Sequence, residues 1–224
     1  MVEMVDKGKE IETITLVRKR FHSPSETDFE KWVDDFINYI DQTRSSLLSL
    51  KDILNLTARV IYRLFSFQEI AIGLINEKDD LYRYEALLGF TKDAESAYKR
   101  LTYDHDDMVT EKKYRFTRLN KYSFFCIAEQ HPFEEGEEAT FNRPLKLNEP
   151  RNSSDEFIEG DYFEFHCYDS NNELIGWFEL SNPRNKKMPT HEELKRIELF
   201  AHILSMIIER KRHFEKVFNG NLKG

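Results

Sequence analysis

The sequence predicts an α+β domain in which paired strands are bracketed by amphipathic helices, and three observations carry that prediction. Apolar residues recur at helical spacing near both ends of the chain. Two polar four-residue turns, Glu77 to Asp80 and Asp169 to Asn172, separate strand-like apolar runs between them. With 40% hydrophobic side chains over 224 residues, the chain can bury one substantial core but not two comfortable ones.

Residues 1–24 are polar, mixed in charge and without a sustained period, so they read as a partly flexible arm, with a strand over Glu12 to Val17 as the alternative. Phe29, Trp32, Val33, Phe36, Ile37 and Ile40 then follow at offsets that place them on one helical face, with Ser25 or Thr27 as cap. A second helix is predicted from Leu50 to Phe65 on the spacing of Ile53, Leu54, Val60, Ile61 and Leu64. The period then changes. Glu69 to Ile75 and Leu81 to Leu88 read as a hairpin, Gly89 ends it, and Thr91 to Arg100 has the composition of a short helix. Between Tyr114 and Ala128 the most strand-like stretch is Tyr122 to Ile127.

From Glu129 to Gly160 no period survives. The stretch holds three of the six prolines and the acidic run Glu134 to Glu138, which predicts a long, mobile lid or insert over residues 129–160. Asp161 to Tyr168 and Glu173 to Leu180 then form the clearest hairpin in the chain, and Asn182-Pro183 is expected to break its second strand. Thr190 and Glu193 have capping-box spacing at the start of the last helix. That helix carries two apolar stripes. Leu194, Ile197, Ala201, Leu204 and Ile208 form the first, and Phe200, Ile203, Ile207, Phe214 and Phe218 form the second. One sheet needs only one stripe, so the second seeks either the N-terminal helix of the same chain or the same helix of a second subunit in a homodimer. Residues 213–224 are the end of this helix and a tail.

A net charge of -8, with acids and bases intermixed, gives no polyanion-binding footprint, so nucleic acid is not expected as a partner. No apolar run approaches the ~20 residues of a membrane span, and Met1 to Arg20 lacks the apolar centre of a secretion signal. The chain is therefore expected in the cytoplasm, unless it is a piece of an anchored protein. Cys126 and Cys167 lack CxxC spacing and read as buried small hydrophobes. Asp104-His105-Asp106-Asp107 offers four adjacent ligand types, but only a tight loop would converge them on an ion, so no metal is expected. Neither G-x-S-x-G, a P-loop nor H-E-x-x-H occurs.

The order of elements resembles the GAF domains of archaeal and bacterial sensor proteins. The resemblance lies in Gly160-Asp161, a strand, Asp169 to Asn172, Leu174-Ile175-Gly176-Trp177, Asn182-Pro183, Pro189-Thr190 and Leu199-Phe200-Ala201. It spans roughly residues 45 to 212 and implies a domain over 25–212 with a central antiparallel sheet. The N- and C-terminal helices would lie on one face of that sheet and a ligand pocket on the other, in the manner of GAF and PAS domains. Where cyclic-nucleotide-binding relatives have an N-K pair, Phe and D-E, this chain has Asn182-Pro183, Met188 and Glu192-Glu193. Asn172 stands where the family has Gly in the turn, a position that Asn can fill in the left-handed region.

The resemblance implies a pocket closed by the lid and by residues between Gly89 and Tyr122. Tyr114, Arg115, Arg118, Lys121 and Tyr122 would bring phenols and positive charge there, suiting a carboxylate, phosphate or propionate, or else forming a basic surface loop. His166 and Cys167 are adjacent on a strand and so face opposite ways. A pocket-facing one could hold haem or a bilin, with plain core as the alternative. The functional expectation is a small-molecule-sensing signal-transduction domain that reports ligand state through paired terminal helices to a downstream signalling protein. One alternative is a ligand-free interaction module whose pocket is filled by Phe124, Phe163, Phe165 and Trp177. Another, the enzyme alternative, is a thiol reductase of free methionine sulfoxide using Cys126 and Cys167.

Overall fold

The computed structural model describes residues 28–45, 47–110, 112–130 and 133–221. The expected arm over 1–24, with its alternative strand, lies outside these residues, as does the side chain of Phe218. The chain divides into two compact units, residues 1–37 and 38–224. In the first, the start of helix α1 (Asp28–Thr43) stacks Phe29 on Trp32 and Trp32 on Phe36, with ring centroids 6.3 and 5.0 Å apart. That ladder is part of the apolar face the sequence predicts; Trp32 and Phe36 are buried, whereas Phe29 and Ile37 are exposed.

The second unit is built on one open antiparallel sheet of six strands in the order β2-β1-β6-β5-β4-β3. Helix α2 (Leu50–Leu64) opens on a capping box between Ser49 and Asp52 and buries Ile53, Leu54, Val60 and Ile61. Strands β1 (Phe67–Asn76) and β2 (Leu81–Leu88) form the first hairpin. Gly89 ends it at φ 87°, where an added Cβ would lie 1.9 Å from the Gln68 carbonyl oxygen. Short helices α3 (Lys92–Tyr98) and α4 (His105–Val109) follow, then strands β3 (Thr117–Arg118) and β4 (Ser123–Cys126). With five and two residues, α4 and β3 are too short to show a period, which is why the sequence did not reveal them.

Three 3-10 turns, Ala128–Gln130, Glu137–Thr140 and Pro144–Lys146, lie between β4 and strand β5 (Tyr162–Tyr168). Polar side chains fasten this segment to the sheet. Asn142 Nδ2 donates to Glu69 Oε1 at 2.9 Å and to the Gly89 carbonyl at 2.8 Å, while its Oδ1 accepts from the Thr91 N–H at 2.7 Å. Arg151 bridges Glu129 and the buried carboxylate of Asp161.

Strand β6 (Leu174–Pro183) completes the second hairpin, and the turn places Asn172 at φ 67°, the left-handed conformation expected of it. Asn182-Pro183 does not break β6. Asn182 turns to φ 53°, and Pro183 still pairs with Phe67 as the last rung.

Helix α5 (His191–Asn221) starts on the predicted box, with the Glu193 N–H donating to Thr190 Oγ1 and the Thr190 N–H donating to the Glu193 carboxylate. At 1.5 Å per residue its 31 residues run roughly 46 Å. Its first stripe is core, with Ile197, Ala201, Leu204 and Ile208 buried on the sheet. The second stripe splits: Phe200 and Ile207 are buried too, whereas Phe214 is 44% exposed. Phe200 stacks on Tyr39 at 4.9 Å and meets Phe65 edge-on, so the upper half of that stripe finds its partners inside the chain. Helices α2 and α5 thus cover one face of the sheet, where Phe163, Phe165, Cys167, Phe178 and Leu180 are buried.

Candidate ligand-binding site

Strand alternation sends Tyr162, Glu164 and His166 of β5, Trp177 and Glu179 of β6, and Tyr84 of β2 to the face opposite α2 and α5. Trp177 lies flat over Gly73 of β1, where a Cβ would come within 2.1 Å of the indole. The missing side chain at Gly73 is thus what lets one of the chain's two indoles rest on the sheet. Tyr82, Tyr103, Met108 and Leu174 pack with Trp177 as a small second core. Tyr82 anchors it by donating from its hydroxyl to the Leu174 carbonyl at 2.8 Å.

Above this layer is a cavity of about 50 Å³. Its floor is the sheet, its sides come from α3, α4 and β4, and its roof comes from the 129–160 segment through Phe133, Glu137, Thr140 and Phe141. One water needs roughly 10–15 Å³ on this measure, so the space suits a few non-hydrogen atoms. The wall is mostly aromatic, and it carries four acids, Asp107, Glu137, Glu164 and Glu179, with no Lys, Arg or His among the described lining residues.

Glu179 is the most unusual of them. It is 91% withdrawn from solvent, its relative exposure being 9%. Tyr84 Oη donates to its Oε1 at 2.5 Å and Trp177 Nε1 donates to the same oxygen at 2.8 Å. Burial first, and then the charge of Glu164 directly across the strand pair, push its carboxyl up to about 8 despite both bonds. Glu164 is bonded by the His166 imidazole, and Glu137 accepts from Tyr114 Oη at 2.8 Å. Burial also raises the phenols of Tyr84, Tyr98, Tyr103 and Tyr162, so they stay neutral donors. At the rim, Lys113 Nζ sits 5.6 Å from the Tyr103 ring centroid and 5.1 Å from that of Tyr114.

Of the residues singled out in the sequence, Tyr114 and Cys126 line the cavity. Arg115, Arg118 and Lys121 do not. All three are exposed, with Arg118 over the Phe124 ring at 4.8 Å and Lys121 against the rings of Tyr122 and Tyr168. Tyr122 packs on His202 of α5 at 4.3 Å. The positive charge expected at the pocket is therefore absent from the described wall, because Arg115, Arg118 and Lys121 face solvent while Phe116 between them takes the place on the wall. His166 takes the cavity face, buried against Phe124 and bonded to Glu164 and Tyr168, and Cys167 takes the helix face, its thiol 3.7 Å from the Ala201 carbonyl. Cys126 and Cys167 thus lie on opposite faces of the sheet, and burial raises both thiols, Cys167 to about 12. Of the aromatic residues named as pocket fillers, Trp177 reaches the cavity wall, while Phe163 and Phe165 belong to the helix side.

Asp104 and Asp107 close a reciprocal capping box on α4, which accounts for that acidic run without an ion. Sequence reasoning missed Glu164 and Glu179. The available signal was a charged residue inside each of two aromatic-rich strands, FEF and WFEL, where alternation alone would have put both acids on one face.

No family model and no curated protein matches the sequence. Solved structures do match the fold. The GAF domain of a phosphoenolpyruvate-protein phosphotransferase from Coxiella burnetii superposes with a TM-score of 0.54 at 12% identity, covering 82% of this chain and 96% of that one. The GAF domain of a putative sensor histidine kinase from Pseudomonas syringae gives 0.52 at 10% identity over 85% and 93%. A free methionine-R-sulfoxide reductase from Neisseria meningitidis, solved with its substrate, gives 0.53 at 11% identity over 86% and 96%. The open antiparallel sheet with its packed helices matches these GAF domains in fold, and the chain has a GAF-like fold.

Proposed function

We propose that the chain is a small-molecule-sensing signal-transduction domain and not an enzyme. The observation that carries this reading is the roofed aromatic cavity on the sheet face opposite the helices. Its occupant would rest on β5 and β6, and those strands carry α5 on their other side. A ligand that favours one packing of α5 over another shifts that helix, and a coupling of ~1–3 kcal/mol gives a roughly 5- to 150-fold response. Output passes to a downstream signalling protein. A homodimer would pair through the lower half of α5, at Phe214 and beyond, since Phe200 and Ile207 are occupied within the chain. Sensor-protein neighbours with the same fold agree with this reading.

The thiol-reductase alternative draws on the Neisseria neighbour, but two thiols on opposite faces of one sheet do not supply an attacking and a resolving pair. No imidazole lines the cavity among the described residues, and the only thiol there is buried and protonated, which does not favour haem or a bilin.

Native mass spectrometry of protein purified from its own host, with an ultraviolet-visible spectrum of the same sample, tests the proposal. A retained small molecule at one per chain is expected, without a visible band. A bare chain that gains no mass after incubation with the host's small-molecule extract would move the weight to a ligand-free interaction module.

A further inference from the structure

The cavity wall has a definite chemistry that the sensor reading leaves open. Glu179 is a buried carboxyl group with no cationic hydrogen-bond partner among the described residues, and three more acids, Asp107, Glu137 and Glu164, share its wall. A buried charge without a counter-charge is costly, and burial answers that cost by holding a proton on Glu179 in the ligand-free protein. A cation seated beside it would supply the missing counter-charge and let it ionise. Aromatic faces surround that position, and ring faces attract cations. The rim already does so, since Lys113 stands over two of the rings. A divalent metal is a poor candidate, because among the described residues no three His, Cys, Asp or Glu side chains are grouped to hold one. An anion inside the cavity would face the four acids of its wall.

We propose that the cavity takes a small primary ammonium group, held by the carboxylate of Glu179 against the rings of Trp177, Tyr84 and Tyr103, with Glu164 and Glu137 adding negative charge to the same wall. The amine brings N–H donors to a wall whose polar groups include acid acceptors, and about 50 Å³ admits it with a short alkyl stem. The ligand is thus a short alkylamine or the amino end of a compact metabolite. This rests on the reading of the cavity as a ligand site.

Isothermal titration calorimetry on the full chain tests it with ethylammonium chloride, tetramethylammonium chloride and sodium propionate, each against sodium chloride at equal ionic strength. Ethylammonium is expected to bind at one site with Kd on the order of 1 mM, the range open to so few atoms, and propionate to give no heat. Glu179→Gln should weaken ethylammonium binding by about 10-fold or more, the loss typical of a hydrogen bond to a charged group. Should Glu179→Gln not fold, as judged by circular dichroism, Glu137→Gln replaces it with the same expectation. Binding of propionate without ethylammonium overturns the ammonium assignment and leaves the cavity a ligand site. Binding of tetramethylammonium alone overturns the need for N–H donors. Ethylammonium binding that neither substitution weakens places it elsewhere and overturns the inference. If no probe binds, the inference fails, while the ligand-site reading is decided separately by the native mass measurement.

Discussion

Glu179 shows how a single side chain ties stability to function. Around it stand Glu164 and Tyr162 on β5, Cys126 on β4, Tyr84 on β2, Trp177 on its own strand, Tyr98 and Tyr103 beside the cavity and Glu137 in the roof. Because the folded carboxyl is raised from 4.5 to about 8, the folded chain binds a proton that the unfolded chain releases. The resulting stability is fully present below about 4.5 and is lost as pH rises through about 8. Thermal unfolding of the empty protein should therefore show a melting temperature that falls over this window. Glu69, also raised by burial, contributes in the same direction, so the diagnostic is the difference from Glu179→Gln. That variant should lose part of the pH slope and be the more stable protein at the alkaline end. An equal slope in both proteins would remove Glu179 from the account.

Gly73 makes a second prediction at this scale. Gly73→Ala drives a methyl into the Trp177 indole and should cost about 1–3 kcal/mol in urea unfolding, as overpacking does. Neither residue announced itself in the sequence. A glycine in a strand and a glutamate among aromatics are ordinary letters until pairing places Gly73, Trp177 and Glu179 on one face.

Among the elements, the two hairpins were legible because their polar turns fix register over only four residues, and the helices because their apolar spacing repeats over several turns. Helix α5 shows the limit of that method. Its two stripes are evident from spacing, but which one meets the sheet and which meets Tyr39 depends on where α1 and α2 lie. Leu204→Ala, in the buried stripe, should cost about 2–5 kcal/mol, whereas Met206→Ser, 65% exposed, should stay within about 0.5 kcal/mol in the isolated chain. The segment from 129 to 160 is the least legible element. Its order comes from single polar contacts to distant strands, and no local period encodes these. Asn142→Ala, which strands the Thr91 N–H and removes a donor from Glu69, should cost roughly 1–3 kcal/mol and speed limited proteolysis between residues 129 and 160.

At the scale of the whole molecule, the two faces of the described sheet differ in chemistry. One holds α2 and α5 over a mainly apolar core, and the other holds an aromatic, acid-lined cavity under the 129–160 segment. The sequence carried the first through hydrophobic patterning. It carried the second only through resemblance, and that resemblance pointed to basic residues which lie outside the cavity wall. No helix among the described residues is long and apolar enough to cross a membrane. Occupancy of the cavity is proposed to reach α5 through β5 and β6. Hydrogen exchange read by mass spectrometry, with and without the small molecule retained from the host, decides whether it does. Changed protection is expected both in the cavity strands and along residues 191–221, whereas changes confined to the cavity strands, with α5 unchanged, would rule the coupling out.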